Sequence, residues 1–179
     1  WHDLGVSQGE EYDYLYLPPE TLGWAGPLAL RLQNPNSGWN TLNLAHEVKE
    51  YVKNSATYSL DTPRPPADTE DFVYWFLNES DTGYCVHFAS AATVLLRAAG
   101  IPARYVEGYT VDVDPGKTTV RGDMAHAWVE YYVEELGWVI LDPTPSDTGA
   151  STPPETTAPT EPTTVPTTQA AAPSVTTSP

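Results

Sequence analysis

The chain has 179 residues, 40% of them hydrophobic, and its 24 acidic side chains outnumber 8 basic ones for a net charge of −16. Such a surface repels phosphate backbones and anionic lipid headgroups, which excludes nucleic acid and direct membrane binding from the expected partners. No apolar run approaches the ~20 residues of a spanning helix. The chain opens on Trp1 rather than methionine, so it is expected to be a segment of a longer protein whose targeting or membrane-anchoring elements lie elsewhere.

Residues 146–179 are dominated by Thr, Pro, Ala and Ser, with no aromatic, Lys or Arg. That composition cannot bury enough apolar surface to fold. Residues 1–145 are therefore expected to form one globular domain and residues 146–179 a disordered linker or stalk. A Thr/Pro stalk and few lysines point to an extracellular or cell-surface setting. The single cysteine, Cys85, permits no internal disulfide.

Taken in order, residues 21–33 hold enough Leu and Ala for a short helix. From a cap at Asn40 or Thr41, the residues Leu42, Leu44, Ala45, Val48, Tyr51 and Val52 recur at helical spacing. Residues 58–60 suit a short extended piece. The PRPP run at 63–66 forces an extended linker, and the acidic residues of 68–71 precede the apolar helix of Phe72, Val73, Trp75, Phe76 and Leu77. Past Gly83, the residues Cys85, Phe88, Ala89, Ala92, Leu95, Leu96 and Ala99 trace one helical face, stopped by Gly100 and Pro102. The period then changes. Residues 104–113, 118–120, 127–133 and 138–141 are β-branched and aromatic, with turns at 114–116 and around Gly137. Helices first and antiparallel strands second predict an α+β domain, with the helices packed on a C-terminal sheet.

Cys85 opens its helix, where unpaired N–H groups and the positive end of the macrodipole favour thiolate over thiol. A free cysteine is also among the most buried residue types, so simple packing competes until a base is found. His2 is terminal, and His46 lies between charged neighbours on a solvated helix face. His87 is two residues from Cys85, about 200° around the helix axis, and is expected to be structural.

His126 begins the strand HAWVEYYV, sharing a face with Trp128, Glu130 and Tyr132. The next strand, GWVILDP, ends in Asp142. Whether imidazole and carboxylate meet depends on register. A hairpin loop of two or four residues places Asp142 opposite Val129 on the other face; an odd loop pairs it with Trp128 and makes His126 its diagonal neighbour, about 7–8 Å away. Asp112 and Asp114, beside Pro115 and Gly116, lack the further oxygen ligands of a calcium loop, so a solvated turn is expected, with no metal and no cofactor.

Three blocks, GYCVHFASAATVLLRAAGIPARYVEGY, HAWVEYY and GWVILDPTPS, resemble in order the transglutaminase-like superfamily of papain-like fold, especially its bacterial extracytoplasmic branch. The resemblance runs over residues 71–145, more weakly from Tyr14. It implies Cys85 as nucleophile, His126 as base and then acid, and Asp142 as the carboxylate that orients it. It further implies acyl transfer on protein glutamine through a thioester, with a lysine amine or water as acceptor. Peptide cleavage by the same triad and a non-catalytic surface module are the alternatives. Two positions depart from the pattern: Val86 replaces a frequent Glu, and Met124 stands where many relatives carry an acid, Asp123 being one residue earlier.

Overall fold

A computed structural model describes residues 13–33, 40–111 and 117–145. These fall in one compact unit, built of four helices followed by a three-stranded antiparallel sheet, an α+β arrangement. Residues 146–179, and the Asp112 to Gly116 turn, lie outside the described residues.

Helix α1 (Pro19–Leu32) begins two residues ahead of the expected start, with Pro at its first position, where a missing N–H costs nothing. Helix α2 (Thr41–Lys53) is capped by Asn40, whose Oδ1 accepts from the Asn43 N–H at 2.8 Å. Helix α3 (Phe72–Glu79) starts on Asp71. One oxygen of that carboxylate accepts from the backbone N–H groups of Val73 and Tyr74, and the other from Thr21 Oγ1 at 2.7 Å and Trp24 Nε1 at 2.9 Å. A single side chain thus caps α3 and ties it to α1. Burial alone would raise the Asp71 pKa; the four donors outweigh it and hold the carboxyl below the usual range.

Helix α4 (Cys85–Ala98) is the central element. It packs on α1, α2, α3 and three strands, and Phe88, Ala89, Ala91, Ala92, Leu95 and Leu96 are fully buried. The two-residue strand β1 (Thr57–Tyr58) pairs in parallel with β2 (Thr82–Gly83), so the segment just before Cys85 is pinned to the end of α2. The sequence suggests an extended piece near Tyr58 but gives no sign of this partner. Gly83 has no room for a side chain: a Cβ there would sit 2.6 Å from the Phe76 ring.

The sheet runs in the order β3 (Ala103–Tyr109), β4 (Ala125–Val133), β5 (Gly137–Leu141). Ala103, Ala127, Val129 and Tyr131 turn inward toward α4. The strand expected at 118–120 is not formed, and β3 ends at Tyr109 rather than continuing toward Val113. Tyr109 already pairs with Ala125, the first residue of β4, and the pairing closes with the Thr110 N–H donating to the Met124 carbonyl at 2.9 Å. Residues 117–121 are exposed and lead into a 3-10 turn at Gly122–Met124. β-branched residues with no face to cover do not make a strand on propensity alone.

Candidate active site

The turn between α4 and β3 sets the scale of the site. Gly100, at φ +78°, reverses the chain, and β3 then runs back along α4. The 14 residues of α4 rise about 21 Å at ~1.5 Å each. The chain from Ala103 to Gly108 covers about 17 Å at ~3.3 Å per residue. Gly108 is therefore level with the start of α4, and Gly108 is the residue paired with His126. The topology brings Cys85, at the first position of α4, and His126, near the start of β4, to the same end of the domain.

The β4–β5 hairpin fixes the third residue. Val133 pairs with Gly137 across a three-residue loop, and Gly137 takes the left-handed conformation at φ +77° that such a loop requires. The pairing continues to Val129 opposite Leu141, which leaves Asp142 next in line with Trp128. His126 and Asp142 thus share a face as diagonal neighbours, and Nε2 of His126 lies 2.8 Å from Oδ2 of Asp142. The other carboxylate oxygen accepts from the Thr144 N–H at 2.9 Å. The Thr144 hydroxyl is buried close by without completing a hydrogen bond.

Burial raises the Asp142 pKa, but the contacts with His126 and Thr144 outweigh it and hold the carboxyl below its usual value. An ionised carboxylate only accepts, so the proton in this contact belongs to Nε2. Nδ1 of His126 is left free. The imidazole also lies over Trp128, with ring centroids 6.3 Å apart and planes at 25°. The Trp128 indole fills the space above Gly108, where a Cβ would come within 2.6 Å of it. Alternation places Trp128 on the His126 face; the sequence gives no sign that Gly108 must stay bare to receive it.

Cys85 is a free, half-buried thiol. On β3, the Tyr105 hydroxyl donates to Glu107 Oε1 at 2.6 Å. Burial, that hydrogen bond, the Glu107 charge and the proximity of Cys85 and Tyr84 all push the Tyr105 phenol above its usual range. His87 belongs to a different environment. It is 3% exposed, among the rings of Phe72, Trp75, Phe76 and Tyr84, and its Nδ1 accepts the Tyr84 N–H at 3.3 Å. Burial lowers its pKa and keeps it neutral. His46 is exposed on α2, and His2 lies outside the described residues.

A cavity of about 900 Å³ between α1 and α3 is lined by Trp24, Tyr74, Asp68 and Glu70 among others, and none of Cys85, His126 or Asp142 contributes to it. Among the described residues, no group of three or more His, Cys, Asp or Glu is placed to hold a metal ion.

Comparison with known proteins follows the same residues. The profile of the transglutaminase-like superfamily matches residues 33–143. YebA of Bacillus subtilis is 38% identical over 147 residues, which is 75% of this chain and 20% of that protein. A protein-glutamine gamma-glutamyltransferase of Pseudomonas aeruginosa is 46% identical over 86 residues, 46% of this chain and 13% of the relative. The chain thus spans a fifth or less of the length of these curated relatives. The crystal structure of the periplasmic domain of TgpA from Pseudomonas aeruginosa superposes with a TM-score of 0.59 at 34% identity, over 73% of this chain and 45% of that one. On the family match, the chain belongs to the transglutaminase-like superfamily, and its fold is the papain-like α+β fold of that group.

Proposed function

We propose that this domain is an extracytoplasmic acyltransferase that acts on protein glutamine through Cys85, His126 and Asp142. The observation that carries the reading is the His126–Asp142 contact at 2.8 Å, set at the level of the helix start that bears Cys85. Nδ1 of His126 takes the thiol proton, and the thiolate attacks the glutamine amide carbonyl. Backbone N–H groups at the start of α4, that of Cys85 included, stabilise the oxyanion. His126 then returns the proton to the leaving ammonia, and a thioester on Cys85 remains. A lysine amine completes transamidation; water completes deamidation. The setting outside the cytoplasm is supported by likeness to a periplasmic domain and by the Thr/Pro composition of residues 146–179. Among the described residues no helix is long and apolar enough to cross a membrane.

The test is incubation of the full chain with glutamine-containing peptides, with and without a primary amine, read by mass spectrometry. Ammonia release with amine incorporation, lost in Cys85→Ala, is the expected result. Backbone cleavage in its place would make the domain a peptidase. No turnover by a folded chain would leave a surface module.

A further inference from the structure

The cavity between α1 and α3 takes no part in the chemistry proposed above, and its walls are of two kinds. Five carboxylates line it, with no Lys, Arg or His, beside the rings of Trp24 and Tyr74. One of the five, Asp71, is satisfied by its four donors. Glu20, Asp68, Glu70 and Glu79 are exposed, and none of them pairs with a cation among the described residues. Arg64, two residues before the lining Pro66, is exposed and joins none of them. Helix ends account for part of this charge, since Glu20 lies in the first turn of α1 and Asp71 caps α3, where the macrodipole favours an anion. Glu79 has the reverse position: it is the last residue of α3, and no basic residue shares that turn. The aromatic wall is set in advance. Trp24 Nε1 donates to Asp71 at 2.9 Å, which fixes the indole, and Tyr74 meets it edge to face with centroids 5.6 Å apart and planes at 72°. Tyr74 is 43% exposed. Elsewhere in the domain Arg104 lies 4.2 Å above the Trp138 ring, whereas no described cation is so placed at Trp24 or Tyr74.

We propose that this cavity docks a basic segment of a partner protein, with an arginine side chain seated against Trp24 and Tyr74 and paired with the carboxylates around them. Charge complementarity selects the occupant. A guanidinium stacks on aromatic faces and meets carboxylates through its planar fork, so it uses both kinds of wall at once. An acidic segment would be repelled, and an apolar one would cover carboxylates and leave them unpaired, which is costly. The volume, about 900 Å³, stands at the upper end of the ~300–1,000 Å³ of ligand clefts. It leaves room for the residues that flank the arginine, with Glu79 at one end of α3 and Asp68 and Glu70 ahead of the other. Because Asp71 ties α3 to α1 and holds the indole, the site is formed before the partner arrives, and little ordering is needed on binding. The net charge of −16 adds long-range attraction for the same partner.

The experiment follows the fluorescence anisotropy of a labelled peptide of alternating Arg and Gly as the full chain is added. A second peptide carries citrulline, the uncharged isostere, in place of each Arg, and should bind about tenfold more weakly or worse. The triple variant Asp68→Asn, Glu70→Gln, Glu79→Gln is expected to weaken binding of the Arg peptide about tenfold. Removing the same charge elsewhere, by Asp61→Asn, Glu134→Gln and Glu135→Gln, should change it by less than about twofold, since distant exposed charges are screened. Tyr74→Leu leaves the charge unaltered and should cost about threefold through the lost ring contact. Circular dichroism checks that each variant is folded. Equal losses in the two triple variants, or Tyr74→Leu binding as the wild type does, overturn the proposal. So does spermidine that displaces the peptide as well as unlabelled peptide does, mole for mole, because the cavity would then take a small polyamine rather than a protein segment. None of these arms reads turnover, so the acyl-transfer reading stands or falls separately.

Discussion

Two histidines in this domain carry the same ring into opposite situations. His87, two residues past Cys85, is enclosed by four aromatic side chains and spends its one acceptor on the backbone of Tyr84. His126, far away in sequence, is half-buried at a strand start, with a carboxylate on one nitrogen and the other free. Nearness in sequence to the thiol is therefore a poor guide. In the aromatic cage the imidazole is neutral and serves as a helix cap; beside Asp142 it keeps a nitrogen available for proton transfer.

The comparison breaks most directly at His126. His126→Ala is expected to cost about 10³-fold in turnover with circular dichroism unchanged, while a folded His87→Gln keeps the larger part of the rate. An equal loss in both, measured on one glutamine peptide, would show that the division of roles is wrong. Asp142 sharpens the point. A thiolate–imidazolium pair needs only an acceptor at Nε2, which an Asn oxygen can supply. Asp142→Asn should thus stay within about tenfold of the wild type, and Asp142→Ala should lose about 10²-fold as the ring is freed to rotate. If Asn proves as damaging as Ala, the charge of Asp142 matters beyond orientation.

On the cage side the expected effects are on folding. Gly83→Ala drives a methyl into the Phe76 ring beside His87, and overpacking of this kind costs about 1–3 kcal/mol. Thermal melts should show it as a lowered midpoint. The smallest effect is electrostatic. Burial depresses the His87 pKa below 6.5 in the fold, so the unfolded chain binds more protons as pH falls through that value and stability declines on the acid side. Melting midpoints between pH 7 and pH 5 should fall less steeply in His87→Gln than in the wild type. Parallel slopes would mean that His87 is not kept neutral by its cage.

Much of this organisation is legible in the sequence because helical periodicity and strand alternation are local. The face of α4 that carries Phe88, Leu95 and Leu96 follows from spacing, as does a helix start at Asn40 or Thr41, of which the structure uses Asn40 as the cap. The family resemblance drawn from three blocks matches the family found. What spacing leaves open is register. Only the three-residue loop and the left-handed Gly137 decide that Asp142 falls in line with Trp128 rather than Val129. Non-local pairings are hidden altogether: nothing in Thr57 or Thr82 announces that they will meet. Residues 118–120 mislead for the complementary reason, since strand-forming side chains there have no neighbouring strand to satisfy them.

The spacing of the contacts along the chain also orders their assembly. His126 and Asp142 are only sixteen residues apart and belong to one hairpin, the class of structure that closes within microseconds. Cys85 depends instead on β1 and on four helices drawn from well separated stretches, and such closures are slower. Synthesis runs the other way, delivering the thiol about forty residues before the imidazole and the carboxylate last of all. A growing chain therefore carries the thiol before His126 or Asp142 exists, and the His126–Asp142 contact forms only when β5 pairs with β4.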